Sequence, residues 1–171
     1  MIFVTVGTHE IPFARMLAAV GALVEIDELV VQRGSATISL PGARVVDFLP
    51  FAELHGLMRE AAVVVTHAGA GSVISALSVD KCPVVVPRLQ RFGETVDDHQ
   101  LSFGRKLAAA GLVTCVEDLE RLPDAVRGVT EGHAADVRPD PRLIDELRSE
   151  IDDALLARAG RRPRAALVSG R

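Results

Sequence analysis

The segment with the clearest chemical potential is THAGAGSV at residues 66–73, which follows a run of three valines. It combines the imidazole of His67 with the glycines Gly69 and Gly71 and the hydroxyl of Ser72. A glycine loop between a buried strand and a helix exposes backbone N–H groups, and the helix dipole favours negative charge there. The pattern predicts an anion site, with His67 and Ser72 as further donors. A turn whose glycines serve packing and whose Ser72 caps the helix fits the spacing equally well.

This loop differs from the two common phosphate-binding motifs. GAGSVI lacks the third glycine of the dinucleotide fingerprint, and it follows the fourth predicted strand instead of the first. No Gly-Lys-Ser/Thr sequence follows it, which excludes a Walker loop. A phosphate held here would therefore belong to another class of site.

A second polar segment, RFGETVDDHQ at residues 91–100, carries the acceptors and amide donors that a sugar requires. Asp97 or Asp98 could equally serve as a plain helix cap. A metal site is only weakly indicated, because no established ligand spacing is present. The side chains suited to sugar hydroxyls are Glu94, Asp98, His99 and Gln100.

The elements that position these segments follow an alternating pattern. Short apolar strands are predicted at 2–6, 28–32, 44–48, 62–66, 83–86 and 112–116, with amphipathic helices between most of them. Apolar strands alternating with helices predict a parallel sheet covered on both faces, which is a Rossmann-like, doubly wound α/β domain. Ligands of such sheets bind at the carboxyl ends of the strands. We therefore expect residues 7–9, 66–72 and 88–100 to share one rim.

Composition narrows the function classes. The 171 residues are 49% hydrophobic and 25% charged, as expected of a soluble globular domain. A net charge of −4 and only 4% aromatics argue against nucleic-acid binding. The opening MIFVTVG is predicted to be a strand and not a signal peptide, and no apolar run approaches the ~20 residues of a membrane span. Cys82 and Cys115 are expected to be buried, reduced thiols of a cytosolic protein, although a disulfide between them stays open.

Composition changes near residue 128. We expect a domain over residues 1–127, a linker over 128–141, an amphipathic helix over 142–158 and an Arg-rich, disordered tail over 159–171. The helix would either dock on a partner or pack on its own domain. The tail could instead touch anionic lipid.

The segments THAGAGSVISAL and KCPVVVPRLQRFGETVDDHQL resemble the nucleotide-sugar-binding half of GT-B glycosyltransferases of the family 28 C-terminal type. More narrowly, they are similar to small single-domain subunits of the Alg13 type and to the PssE- or EpsF-like subunits of bacterial exopolysaccharide transferases. The opening MIFVTVGTHEIPFARML resembles the start of those bacterial subunits. The likeness covers residues 1 to about 127.

The resemblance implies roles for individual residues. The donor diphosphate would be held by His67, Gly69, Ala70, Gly71 and Ser72. His99 and Gln100 would face the donor sugar, with Asp98 beside them, and Gly7, Thr8 and His9 would line the interdomain cleft. Many relatives carry an acidic residue three positions after the Ser/Thr to hold the ribose, whereas this chain has Ser75, so Glu94 is the substitute that we expect. The general base is unidentified, with His9 as the candidate.

The resemblance also implies a function. The chain would be the donor-binding, catalytic-type subunit of a two-component inverting glycosyltransferase that moves a sugar from a UDP-sugar to a lipid-linked acceptor. A membrane-associated subunit of the Alg14 or PssD type would supply the acceptor half and hold the chain at the inner, cytoplasmic face of the membrane. No metal or other cofactor is expected. The alternatives are a non-catalytic accessory subunit and a free-standing nucleotide-binding module.

Overall fold

The computed structural model describes residues 1–131, and within them the strands form one fully parallel sheet in the order β3-β2-β1-β4-β5-β6. The prediction of a doubly wound, Rossmann-like α/β fold is confirmed. The strands are β1 (Ile2–Thr5), β2 (Leu29–Gln32), β3 (Ala43–Val46), β4 (Val63–His67), β5 (Val84–Val86) and β6 (Thr114–Cys115). The α-helices are α1 (Ala14–Val20), α2 (Phe51–Glu60), α3 (Ala70–Leu77), α4 (His99–Ala109) and α5 (Leu122–Thr130), with short 3₁₀ turns at Gly21–Glu25, Gln90–Phe92 and Leu119–Arg121.

Both faces of the sheet are buried, which explains why its central strands are continuous apolar runs. Ile2, Phe3 and Val4 of β1 are all fully buried, although successive side chains point to opposite faces. One face packs under α1 and α5, with Val4 and Val65 in that core. The other face carries Phe3 and packs under α2 and α3.

The strand order places a topological switch point between β1 and β4. These two strands are neighbours in register, so that Thr5 lies beside Thr66 at their carboxyl ends. From β1 the sheet continues outward through β2 and β3, and from β4 it continues the other way through β5 and β6. The loops that leave β1 and β4 therefore diverge to opposite faces, and the crevice between them is where doubly wound sheets bind ligands.

The sixth strand is shorter than predicted and pairs only over Thr114–Cys115, because it lies at the sheet edge and has one neighbour. Helix α5 continues to Thr130, and Val129 still packs on the core. The rest of the predicted linker, the helix over 142–158 and the tail over 159–171 lie outside the described residues.

The cysteines fit the prediction of reduced thiols. Cys82 and Cys115 are free and half-buried, so the disulfide that stayed open is excluded. Burial raises the pKa of both thiols, and Glu117 adds to this at Cys115. Neither is therefore an activated nucleophile.

No helix in the part of the chain that the structure covers is both long and apolar enough to cross a bilayer.

Candidate functional site

The predicted shared rim is confirmed by the topology of the sheet. The candidate loops follow β1, β4 and β5, which are three adjacent parallel strands, so all of them leave the sheet at its carboxyl edge. Side chains join these loops directly: His67 packs against the first loop, and Arg88 of the third loop bonds to carbonyls of the first. The candidate residues therefore form one continuous surface around the switch point.

The ring of His67 lies between two glycines. A Cβ on Gly7 would come within 2.4 Å of the ring carbon Cε1, and a Cβ on Gly69 within 2.1 Å of Nε2. Gly7 also has a φ of +74°, which a residue with a side chain rarely adopts. The imidazole ring therefore requires glycine at both positions. For Gly69, the alternative that a glycine of this turn serves packing is confirmed.

His67 is a neutral imidazole at neutral pH. Its pKa is lowered to about 3, chiefly by burial and in addition by electrostatic interaction with Arg88 and His9. Its Nδ1 lies 3.4 Å from the hydroxyl of Thr66, which donates its own proton to the carbonyl of Thr5. Because that proton is already used, the hydroxyl accepts from Nδ1–H, and the lone pair of the ring is on Nε2.

The first turn of α3 offers unpaired backbone donors. Gly69 is the N-cap, and Ala70, Gly71 and Ser72 are the first three helical residues, whose N–H groups have no partner inside the helix. No side chain caps this helix, so the interpretation of Ser72 as a helix cap was wrong. A Cβ on Gly71 would meet nothing within 4 Å. Unlike Gly69, Gly71 therefore leaves open space in front of the amides, which suits an approaching anion.

Ser75 occupies the position at which the family resemblance predicts an acidic residue. Its hydroxyl donates to the carbonyl of Gly71 at 2.8 Å, a bond within the helix. At this position the chain therefore has, in place of a carboxylate, a hydroxyl whose hydrogen bond is already made within the helix.

The sugar-segment residues are fastened at the start of α4. The amide oxygen of Gln100 accepts from the backbone N–H of Arg88 at 3.2 Å. Asp98 accepts from the N–H of Gln90, whereas Asp97 accepts from the N–H of His99 at the helix start. His99 is exposed and stacks on Phe103, with the ring centroids 6.4 Å apart. Gln100 and His99 thus lie at the rim, and Asp98 braces the loop that leads to them.

Glu94 is placed differently from a free ribose acceptor. It is only 5% exposed, and its two oxygens accept from Nε and Nη2 of Arg15 at 2.8 and 2.9 Å. The second oxygen also accepts from the N–H of Leu89 at 2.9 Å. Because the carboxylate is already satisfied within the chain, the structure gives ribose binding by Glu94 no support.

Sequence reasoning missed Arg88, the largest fully buried side chain. Its guanidinium donates to the carbonyls of Val6, Ile11 and Glu94 and stacks 4.5 Å above the ring of Phe13. Burial lowers the pKa of Arg88, and the charge of Glu94 opposes that shift. The position of Arg88 in the sequence could have indicated its role. A charged residue directly after the apolar strand β5 and Pro87 must either face the rim or find buried partners.

A second missed group lies beneath the rim. Thr5 and Gln32 are fully or almost fully buried and bond to each other. Gln32 donates to the carbonyls of Gly7 and Asp47, and Thr5 accepts from the N–H of Gly7. These bonds fix the backbone of Gly7, against which the His67 ring packs.

The remaining residues of the first loop face solvent. Thr8 and His9 are exposed, and Nδ1 of His9 accepts from the N–H of Ile11 at 3.1 Å. The charge of His9 contributes to the lowered pKa of His67, so the two rings are close enough to interact.

Comparison with known proteins identifies the family to which the chain is similar. Residues 1–141 match the model of the glycosyltransferase family 28 C-terminal domain. A search of curated proteins gives no match.

Solved structures share the fold at low identity. The chain resembles the glycotransferase of kitacinnamycin (20% identity, 91% of this chain and 39% of that chain, TM-score 0.58). It also resembles the glycosyltransferase SnogD from Streptomyces nogalater (21%, 92% and 44%, 0.54) and CalG4, the calicheamicin glycosyltransferase (19%, 90% and 38%, 0.56). It thus spans well under half the length of these structures. Because the family model matches residues 1–141 of its 171 residues, this chain belongs to the glycosyltransferase family 28 C-terminal domain family.

Proposed function

We propose that this chain is the donor-binding half of an inverting glycosyltransferase, which takes a sugar from a UDP-sugar and transfers it to a lipid-linked acceptor. A second, membrane-associated subunit of the Alg14 or PssD type supplies the acceptor half. The observation that carries the proposal is the juxtaposition at one rim of the open first turn of α3 and the Gln100 segment. A donor with its diphosphate at the first turn of α3 and its sugar at Gln100 would lie across the ends of two neighbouring strands.

The diphosphate binds at the N–H groups of Ala70, Gly71 and Ser72. Negative charge develops on this group as the glycosidic bond breaks, so donors already aimed at it stabilise the transition state more than the ground state. The dipole of α3 adds to this stabilisation. Because these groups carry the charge, the proposal requires no metal ion.

The sugar is held by the side chains at the start of α4. The oxygen of Gln100 is occupied by the N–H of Arg88, which leaves the NH₂ group of the same amide as the donor toward a sugar hydroxyl. His99, exposed beside it, adds a second polar contact. His9 stays the candidate for the general base within this chain.

The need for a second half is supported by length and by surface chemistry. The chain covers only 38–44% of the glycosyltransferases that it resembles. The large hydrophobic side chains that the described residues expose follow the carboxyl ends of strands: Phe48, Phe51, Phe92 and Val96 are 52–76% exposed. Such side chains on a functional rim favour contact with another protein. Attachment to the membrane would come through that partner.

Gly71 provides the sharpest test of donor binding. A methyl group at this position fills the open space before the α3 amides without touching the protein, so Gly71→Ala should weaken UDP binding at least about tenfold. Calorimetry with UDP, on the chain with its partner subunit, measures the effect. Gly56→Ala is the matched control, because Gly56 is also a helical glycine whose added Cβ meets nothing. Absence of UDP binding, or equal binding by both variants, contradicts the proposal.

A second candidate function is a non-catalytic accessory subunit, which Ser75 favours because its hydroxyl is already bonded within α3. The two functions separate when His67→Ala and Gln100→Ala are assayed in the reconstituted pair. Loss of sugar transfer with both variants supports the donor-binding role, whereas full transfer with both supports the accessory role.

A further inference from the structure

An arginine on the far side of the sheet reaches the sugar-binding loop. Arg15 lies on α1, which covers the face of the sheet opposite to α3. Its Nε and Nη2 donate to the two oxygens of Glu94 at 2.8 and 2.9 Å, and Nη2 also donates to the carbonyl of Pro87 at 2.9 Å. The side chains are 20% and 6% exposed, so water screens this bidentate pair little. The contact holds α1 to both ends of residues 87–94.

Arg88 continues the connection from Glu94 to the rim. Its guanidinium donates to the backbone carbonyl of Glu94, and also to Val6 and Ile11 in the loop after β1. Its backbone N–H donates to the amide oxygen of Gln100. A chain of hydrogen bonds therefore runs from Arg15 through Glu94 and Arg88 to Gln100.

We propose that Arg15, Glu94 and Arg88 form an arginine clamp that sets the position of Gln100 and thereby the fit of the donor sugar. The inference rests on the proposed function, because it assigns the sugar to the Gln100 segment. Arg15 acts through Glu94 and the carbonyl of Pro87, and is a positioning residue. The clamp also gives Glu94 a role other than ribose contact: its carboxylate orders the loop.

The clamp predicts a loss specific to the sugar. The diphosphate lies on α3, which Arg15 does not contact, whereas Gln100 is joined to Arg15 by the bonds above. Arg15→Met should therefore leave UDP affinity within about twofold of wild type and weaken binding of the sugar part about tenfold. If Glu94 instead contacted the ligand directly, Glu94→Gln would weaken binding while Arg15→Met left it unchanged.

Calorimetry on the chain with its partner subunit tests this, with UDP and a panel of UDP-glucose, UDP-galactose, UDP-N-acetylglucosamine and UDP-glucuronate. The measured quantity is the ratio of UDP affinity to that of the UDP-sugar that wild type binds best. The matched control is Arg105→Met, which removes another bidentate pair, that of Arg105 with Glu117, and neither of these residues bonds to Arg15, Glu94 or Arg88. We expect the ratio to change with Arg15→Met and Glu94→Gln but not with Arg105→Met. An unchanged ratio, or an equal loss for UDP and UDP-sugar, overturns the clamp.

Hydrogen exchange of the free protein separates failure of the clamp from failure of the proposed function. The N–H of Arg88 is protected by Gln100, so Arg15→Met should speed its exchange about tenfold relative to Arg105→Met. Faster exchange together with an absence of UDP binding by wild type would refute the proposed function and leave the clamp without a sugar to position. Unchanged exchange overturns the clamp whatever the ligand measurements show.

Discussion

Gly69 and Gly71 have different tasks, although only one residue separates them. Gly69 leaves room for the imidazole, and Gly71 leaves room in front of the helix. We expect Gly69→Ala to destabilise the fold by about 1–3 kcal/mol, because the new methyl group overlaps the His67 ring. Gly71→Ala should be neutral or stabilising by up to about 1 kcal/mol, because alanine favours helix.

Urea unfolding of the two variants measures this difference. The double variant Gly69→Ala/His67→Ala checks the cause, because it removes the ring and should recover part of the lost stability. Equal stabilities of the two single variants would show that the ring does not need the space.

His67 should make stability depend on pH. Its pKa is about 3 in the folded protein and near 6.5 in the unfolded chain, so the unfolded state binds more protons between these values. The contribution of the neutral ring is complete above pH 6.5 and is lost as the pH falls toward 3, with a loss of about 1–2 kcal/mol at pH 5. The variant His67→Gln should flatten the slope of the unfolding free energy against pH in this window. A wild-type slope in His67→Gln would contradict the assignment.

The same ring should take up a proton when a diphosphate binds. With its lone pair on Nε2, neutral His67 can accept but not donate a hydrogen bond at that atom, whereas a phosphate oxygen requires a donor. A bound dianion raises the pKa of a nearby base. Calorimetry with UDP in buffers of different ionisation enthalpy should therefore report proton uptake at pH 6–7, which His67→Gln abolishes. Binding without uptake in wild type would mean that only the α3 amides contact the phosphate.

Residue types at the site were predictable, whereas their partners were not. The strand-glycine-helix spacing predicted the turn from β4 into α3, because backbone geometry there depends on neighbouring residues. The division of labour between Gly69 and Gly71 depends on where the His67 ring packs, which the spacing does not report. The use of Glu94 by Arg15 depends on a contact across 79 residues of sequence, which only the packing of α1 against the β5 loop creates.

The helix α4 positions His99 and Gln100 through one small residue. A Cβ on Gly104 would lie 3.0 Å from Sγ of Cys115 and 3.5 Å from Cβ of Ala68. Gly104 therefore sets how closely α4 approaches β6 and the loop after β4. We expect Gly104→Ala to change the free energy of unfolding about 1 kcal/mol more favourably in a Cys115→Ala background than in wild type. In that background the higher helix propensity of alanine is not opposed by a close contact with the sulfur. Thermal unfolding of the four proteins provides the cycle, and a coupling near zero would refute the contact.

The existence of the strands and helices could be predicted from hydrophobic periodicity, whereas the residues at which they end could not. Each apolar run became a strand, since a sheet buried on both faces requires such runs. The ends of β6 and α5 depended on tertiary neighbours: β6 pairs on one side only, and α5 continues while Val129 still has a core to contact. No local signal at residues 112–116 or 127–130 reports those neighbours.

The rim of the whole molecule combines open backbone donors with exposed apolar side chains. Phe51 and Val96 are 70% and 76% exposed, so replacing both by Ser should change the free energy of unfolding by less than about 1 kcal/mol. We expect the same double variant to weaken the complex with the proposed partner subunit at least about tenfold, because interfaces depend on such apolar anchors. Titration of the partner by surface plasmon resonance measures the affinity. Ala109→Ser, at the end of α4 farthest from the rim, is the control, and equal affinities would place the interface elsewhere.

The burial of Arg88 has a consequence for the order in which the molecule assembles. Its bond to the carbonyl of Val6 joins residues 82 positions apart, so the loop after β1 cannot reach its final form until β5 has added to the sheet. Contacts this distant form late, because closing so long a segment costs entropy before it is repaid. Pulse-labelling during refolding would then find the β1–β2 ladder protected early and the loops after β1 and β5 last, so the proposed donor site would take shape only when nearly all of the sheet is complete.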